Sequence, residues 1–109
     1  METVRSSREI DRLFKEGMRS SHPLVLALIA PTPPGRGPCG RVAVIAGKKL
    51  GGAVARNRAK RVLRAAVRRA SGPWAGWDIA LIARDGVGAA TPQRLDDAVR
   101  AVTARIEHS

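Results

Sequence analysis

The chain has 109 residues, 20 Lys plus Arg against 9 Asp plus Glu, and a formal net charge of +11. That length suits one domain with a modest core, and 44% hydrophobic residues gathered in runs exclude an intrinsically disordered chain. The longest apolar run, Leu24 to Ala30, is far short of the roughly 20 residues of a membrane span, and no apolar stretch follows the N-terminus as in a secretory signal. The single Cys39 excludes an internal disulfide and any multi-thiolate metal site, so cytoplasm is the expected compartment.

In chain order, Ser6-Ser7-Arg8-Glu9 reads as a capping box opening a short helix over about 7–16, with Ile10, Leu13 and Phe14 on one face and Gly17 at its end. Leu24 to Ala30 has strand length and is expected to be a central strand buried on both faces. Residues 31–40, rich in Pro and Gly, read as a mobile hairpin loop, and residues 1–5 are expected to be mobile too. The strand from Arg41 to Ala46 follows directly, which predicts that it runs antiparallel to the first. Gly47-Lys-Lys-Leu-Gly-Gly52 breaks it, and a helix is predicted over 53–70, stopped by Ser71-Gly72-Pro73. Trp74 and Trp77 are expected to anchor the edge of the core. A third apolar strand over 78–83 is predicted to lie parallel to 41–46, because helix 53–70 is long enough for a crossover. Thr91-Pro92 then opens a last helix with the apolar stripe Leu95, Ala98, Val99, Val102 and Ile106.

Charge is not spread evenly. Residues 17–77 contain no acidic residue and 12 basic ones, so an intensely basic block sits on a nearly neutral remainder. A solubility surface interleaves both signs; a one-signed block attracts a polyanion. On a helical wheel the apolar residues Val62, Ala55, Ala66, Ala59, Ala70, Leu63 and Val67 span about 140° of helix 53–70, a width suited to packing on a sheet. Arg56, Asn57, Arg58, Lys60, Arg61, Arg64, Arg68 and Arg69 take the opposite side. Within them Asn57, Arg61, Arg64 and Arg68 form a straight stripe. Lys48 and Lys49 precede the helix N-terminus, where the dipole already favours anions.

The segment Gly47-Lys-Lys-Leu-Gly-Gly-Ala-Val-Ala-Arg-Asn-Arg-Ala-Lys-Arg-Val-Leu-Arg-Ala-Ala-Val-Arg resembles the signature of the protein subunit of bacterial ribonuclease P. The resemblance covers nearly the whole chain: 7–17 resembles that family's first helix, 78–84 its last long strand and 92–106 its final helix. It implies a single α+β domain with a mixed four-stranded sheet and three helices in the order α-β-β-β-α-β-α. It also implies a left-handed strand–helix–strand crossover, where the general handedness rule alone gives a right-handed one.

The function implied is that of a ribozyme's partner. The catalytic RNA removes the 5′ leader of precursor tRNA with Mg2+ held by the RNA, while the protein carries no catalytic residue and binds no cofactor or metal itself. By the same resemblance Lys48, Lys49, Arg56, Asn57, Arg58, Lys60, Arg61, Arg64 and Arg68 bind the catalytic RNA. Ile10, Phe14 and Ala27 fall where the family places leader-binding aromatics. Gly47 and Gly52 depart from the serine and asparagine usual at those positions. The implied partners are the catalytic RNA and precursor tRNA, with no membrane and no protein partner.

Two other classes compete. A free-standing nuclease lacks the inventory, since His22 and His108 have no carboxylate at a useful spacing and Asp96-Asp97 diverge on a helix. A ribosomal-type RNA-binding protein or a DNA-binding module shares the charge. A helix-turn-helix, however, requires a helix shortly before residue 53, and Phe14, Trp74 and Trp77 alone make a poor aromatic sheet platform.

Overall fold

The most apolar stretches of the chain meet in the middle of one sheet. The computed structural model describes residues 7–33 and 40–107. Its elements are α1 (Ser7–Glu16), β1 (Met18–Ser21), β2 (Val25–Pro31), β3 (Arg41–Ile45), α2 (Ala53–Arg69), β4 (Trp77–Ala83) and α3 (Pro92–Glu107), with short 3-10 turns at Lys48–Leu50 and Val87–Ala89. The sheet order is β1-β2-β4-β3. β2 pairs antiparallel with β4 from Val25↔Ala83 to Pro31↔Trp77, and β3 pairs parallel with β4 from Arg41↔Asp78 to Ile45↔Ile82. The Cα radius of gyration, 13.0 Å, is that of one domain of this length. No helix among the described residues is long and apolar enough to cross a membrane.

Period-2 alternation sorts the strand residues onto two faces. Val25, Ala27, Ile29, Val42, Ile79, Leu81 and Ala83 pack with Ala59, Leu63, Ala66 and Val67 of α2 and with Leu95, Ala98, Val99 and Val102 of α3. Leu28, Ala30, Ala43 and Ala80 look the other way and meet Leu13 of α1. Two long helices thus cover one face and a single short helix covers the other. Trp74 and Trp77 pack at the edge of the larger cluster, as predicted. At the start of α3 the Thr91 hydroxyl accepts the Arg94 N–H at 3.3 Å, the expected cap.

The four-stranded mixed sheet with three helices is as expected; three expectations change, and one strand joins those that periodicity marks. The strands 24–30 and 41–46 do run in opposite directions, but they are not a hairpin pair: β4 lies between them. A strand buried on both faces gains most from two neighbours, and Pro31 and Arg41 stand on opposite sides of the start of β4. β1 is absent from the residue-by-residue reading, because Met18-Arg-Ser-Ser21 is a polar edge strand with no apolar alternation to reveal it. The first turn of α2 overshoots the sheet, so Ala55 is exposed although the wheel puts it on the apolar arc, and Val54 is 85% exposed. Gly17 is needed for space rather than for a left-handed backbone, since a Cβ there would collide with the Leu13 carbonyl. Ser6 of the expected capping box, residues 1–5 and most of 31–40 lie outside the described residues. Thr32, by contrast, is fixed by a bond from its N–H to the Gly76 carbonyl at 2.9 Å.

Helix α1 is tied down by one apolar and one polar anchor. Leu13 is fully buried. Arg12 donates to Asp78 Oδ2 at 3.0 Å, and the Thr32 hydroxyl donates to Asp78 Oδ1 at 3.2 Å. Asp78, at the start of β4, is the buried carboxylate among the described residues, and these donors reach both of its oxygens. Leu13→Ala is expected to lower the unfolding free energy by about 2–5 kcal/mol. Arg12→Ala should lower it by about 2 kcal/mol through the weakened buried pair. Urea denaturation checks both, with exposed Arg94→Ala expected within about 0.5 kcal/mol of wild type.

Candidate nucleic-acid interface

The crossover from β3 to β4 lays α2 across the larger core with its basic side outward. Asn57, Arg61, Arg64 and Arg68 are all exposed, so the predicted stripe is a continuous solvent-facing row. Lys48 and Lys49 are exposed in the 3-10 turn before it. The α2 N-terminus has Gly52 as its N-cap with no side-chain cap and no acid in its first turn. Its free N–H groups therefore add to the positive potential. Gly47 and Gly52 sit at negative φ with open space where a Cβ would project, so the fold does not demand glycine at either.

Not every base of the helix points freely outward. The Arg58 Nε donates to the Gly88 carbonyl at 2.8 Å, clamping the Val87–Ala89 turn against α2. Arg69 Nε donates to Asp96 Oδ1 at 2.7 Å, which pins α2 to α3 and gives Asp96 an ion-pair role. Arg56 and Lys60 are half-buried, and Arg56 Nε is buried without a hydrogen-bond partner. An orphaned guanidinium N–H of this kind is a donor in want of an acceptor. His22 is occupied structurally: its Nδ1 accepts the Leu24 N–H at 3.1 Å.

Beside the row, a hollow of about 660 Å³ opens between the 3-10 turn and the end of β4. Lys48, Lys49 and Arg84 stand around it, with Leu50, Pro23 and Ile82 supplying apolar wall and Asp85 one acid. Arg84 is held in place by donating to the His22 carbonyl at 3.2 Å. Ile82 also packs against the α1-side cluster with Ile10 and Ile45. It thus joins this hollow to the apolar face that α1 leaves partly uncovered.

The three positions expected to contact the leader separate here. Ile10 is half-buried against that face and Phe14 is 46% exposed, so both lie along the α1 side. Ala27 does not. It is fully buried in the opposite cluster, under α2 and α3. A shift of one residue along a strand changes the face, and the residues of β2 on the α1 side are Leu26, Leu28 and Ala30. In register with Leu26 lie Ser21 on one side and Ile82, then Ile45, on the other. Leu26, Ile45, Ile82 and Arg84 line the candidate site and are not among the residues expected there from the sequence. The signal that finds them is cross-strand register, which requires knowing that β4 sits beside β2.

This is a small α+β protein that exposes a cationic helix beside an apolar cleft. A family model described as Ribonuclease P matches residues 1–107. The ribonuclease P protein component of Herpetosiphon aurantiacus is 37% identical over 97 residues, 88% of this chain and 76% of that protein. That of Dehalococcoides mccartyi is 59% identical over a shorter stretch of 44 residues, 40% of this chain and 36% of that protein. The fold is similar to the RNase P protein of Staphylococcus aureus, with a TM-score of 0.82 at 20% identity over 98% of this chain and 96% of that one. The protein from Thermotoga maritima gives a TM-score of 0.80 at 24% identity over 96% and 97%. The chain belongs to the ribonuclease P protein family, and its role is that of the protein subunit in tRNA 5′ processing.

The opposed faces of β2 make a direct test. Ala27→Tyr should overpack the core and lower stability by at least about 1–3 kcal/mol. Leu26→Tyr, at a half-buried position on the α1 side, should melt close to wild type. Thermal denaturation of the two variants side by side decides the face.

Proposed function

We propose that the exposed row Asn57, Arg61, Arg64 and Arg68, flanked by Lys48, Lys49, Arg56, Arg58 and Lys60, binds the catalytic RNA of ribonuclease P, and that the α1-side cleft receives the 5′ leader of precursor tRNA. The observation that carries this is the outward, unbroken placement of the row in a chain of this family. Guanidiniums at i, i+3 and i+7 on one helix face repel each other in the free protein, and phosphates relieve that cost. Arg offers a planar fork to each phosphate, and a helix N-terminus adds N–H donors nearby.

In the cleft, Ile10, Phe14, Leu26, Ile45 and Ile82 offer apolar contact, with Phe14 alone giving a ring for a base to stack on. Lys48, Lys49 and Arg84 at its open end supply the charge that a leader backbone needs. Leader recognition therefore rests on shape and charge more than on stacking, a base on an aromatic ring being worth about 1–3 kcal/mol.

Catalysis on this reading belongs to the RNA, with Mg2+ held there. Among the described residues no three His, Cys, Asp or Glu side chains gather as a metal site. The protein's part is to add positive charge along the RNA and to hold the leader, in the cytoplasm where tRNA is matured.

Arg61→Ala and Arg64→Ala should each weaken binding to the catalytic RNA and flatten its salt dependence by about one phosphate charge, with unchanged melting temperature. Normal binding by both at moderate salt would leave the row a solvated face. Rigorously RNA-free protein should leave a labelled precursor tRNA intact, and protein plus catalytic RNA should release the leader at low Mg2+. Correct cleavage by protein alone would place catalysis in the chain.

A further inference from the structure

At the seam between the C-terminal end of α2 and α3 lies a second hollow, of about 280 Å³, lined by Arg69, Ala70, Ser71, Trp74, Arg100 and Thr103. Its lining is rich in side chains that carry hydrogen-bond donors. The Arg100 guanidinium, the Trp74 indole N–H and the Ser71 hydroxyl have no partner among the described residues. Arg69 is oriented by its Nε bond to Asp96, which leaves the terminal nitrogens of its fork unspent. Only Thr103 is fully committed as a donor, its hydroxyl giving its proton to the Val99 carbonyl at 2.7 Å.

The backbone at the rim points the same way. Ser71 has φ 65°, the one positive φ outside glycine among the described residues. It stands just past the α2 C-terminus, with its N–H on the Arg68 carbonyl and the next N–H, of Gly72, on the Val67 carbonyl. Glycine takes this left-handed position without strain. The serine instead keeps a hydroxyl at the mouth of the hollow.

Two arginines, a serine and a tryptophan lining one space, with Asp96 bound to the Arg69 Nε beside it, select an anion with several oxygens. The volume accommodates a phosphate with its sugar and excludes a folded duplex. Position identifies the source. Arg68 ends the exposed row on α2, and Arg69, the next residue, begins this hollow.

We propose that the hollow holds a backbone phosphate of the RNA strand lying along α2, so that the RNA footprint turns over the end of the helix onto α3. The proposal rests on the RNA-binding reading of α2. It extends that reading to Arg69, Ser71, Trp74 and Arg100, none of which belongs to the predicted row.

The test uses the full chain and the catalytic RNA at 50 and 200 mM monovalent salt, comparing wild type with Arg100→Ala, Arg94→Ala and Arg61→Ala. Arg94 is an exposed α3 base outside the hollow and controls for charge alone. Losing one phosphate contact reduces the salt slope by about 0.7–0.9, so the affinity advantage of wild type over Arg100→Ala should shrink by about threefold across that salt range. Arg94→Ala should keep the wild-type slope. In parallel, the Trp74 indole N–H resonance, assigned by its loss in Trp74→Phe, should shift on adding the RNA. Inorganic phosphate at constant ionic strength should shift it in the same direction.

An Arg100→Ala slope equal to wild type while Arg61→Ala weakens binding overturns the hollow as an RNA site and leaves the row intact. Loss of effect in both variants overturns the underlying RNA-binding reading instead. A resonance that moves with inorganic phosphate and not with RNA, beside a wild-type slope for Arg100→Ala, makes the hollow a free-phosphate site and also overturns the proposal.

Discussion

Strand β4 is the constraint on which the molecule turns. It is flanked by β2 and β3, and Ile79, Ala80 and Leu81 are fully buried. Because β3 joins it in parallel, the chain between them cannot turn back in a hairpin and must cross one face of the sheet. That crossover is α2. A helix in this place needs an apolar side for the sheet and has its other side left to water, so the sheet's topology converts a basic sequence into a directed basic surface.

The electrostatic cost of that surface is met locally and unevenly. Arg58 and Arg69 are turned to structural account by Gly88 and Asp96, and Arg68 and Arg69 sit in the last turn of α2, where the helix dipole favours cations. The central row has no such relief among the described residues. Arg61 and Arg64 remain exposed among like charges, which is the cost that the proposed RNA contact would relieve.

On the other face of the sheet, one short helix does what two long ones do opposite. Leu13 and the Arg12–Asp78 pair hold α1 over the Leu28, Ala80 and Ala43 row, and the neighbouring row of Leu26, Ile82 and Ile45 is left half-covered. The cleft is thus a consequence of the length and anchoring of α1. Since Asp78 begins β4, the strand that directs the basic helix also fixes the helix that shapes the cleft.

Much of this was legible in the residues themselves. Periodicity marks α1, α2, α3 and the three apolar strands, and the wheel of α2 already separates Leu63, Ala66 and Val67 from the row of Asn57, Arg61, Arg64 and Arg68. The segment from Gly47 to Arg68 carries the family resemblance. Local patterns suffice there because helix faces and buried strands write their environment into spacing. What tertiary structure alone decided is which strands are neighbours and which face each residue takes. The polar β1 has no periodic signal, β4 enters between β2 and β3 from more than thirty residues away in sequence, and Ala27 differs from Leu26 only by the pleat. Strand register is a property of pairs, so a single strand read alone identifies its two faces but not which of them the helices will cover.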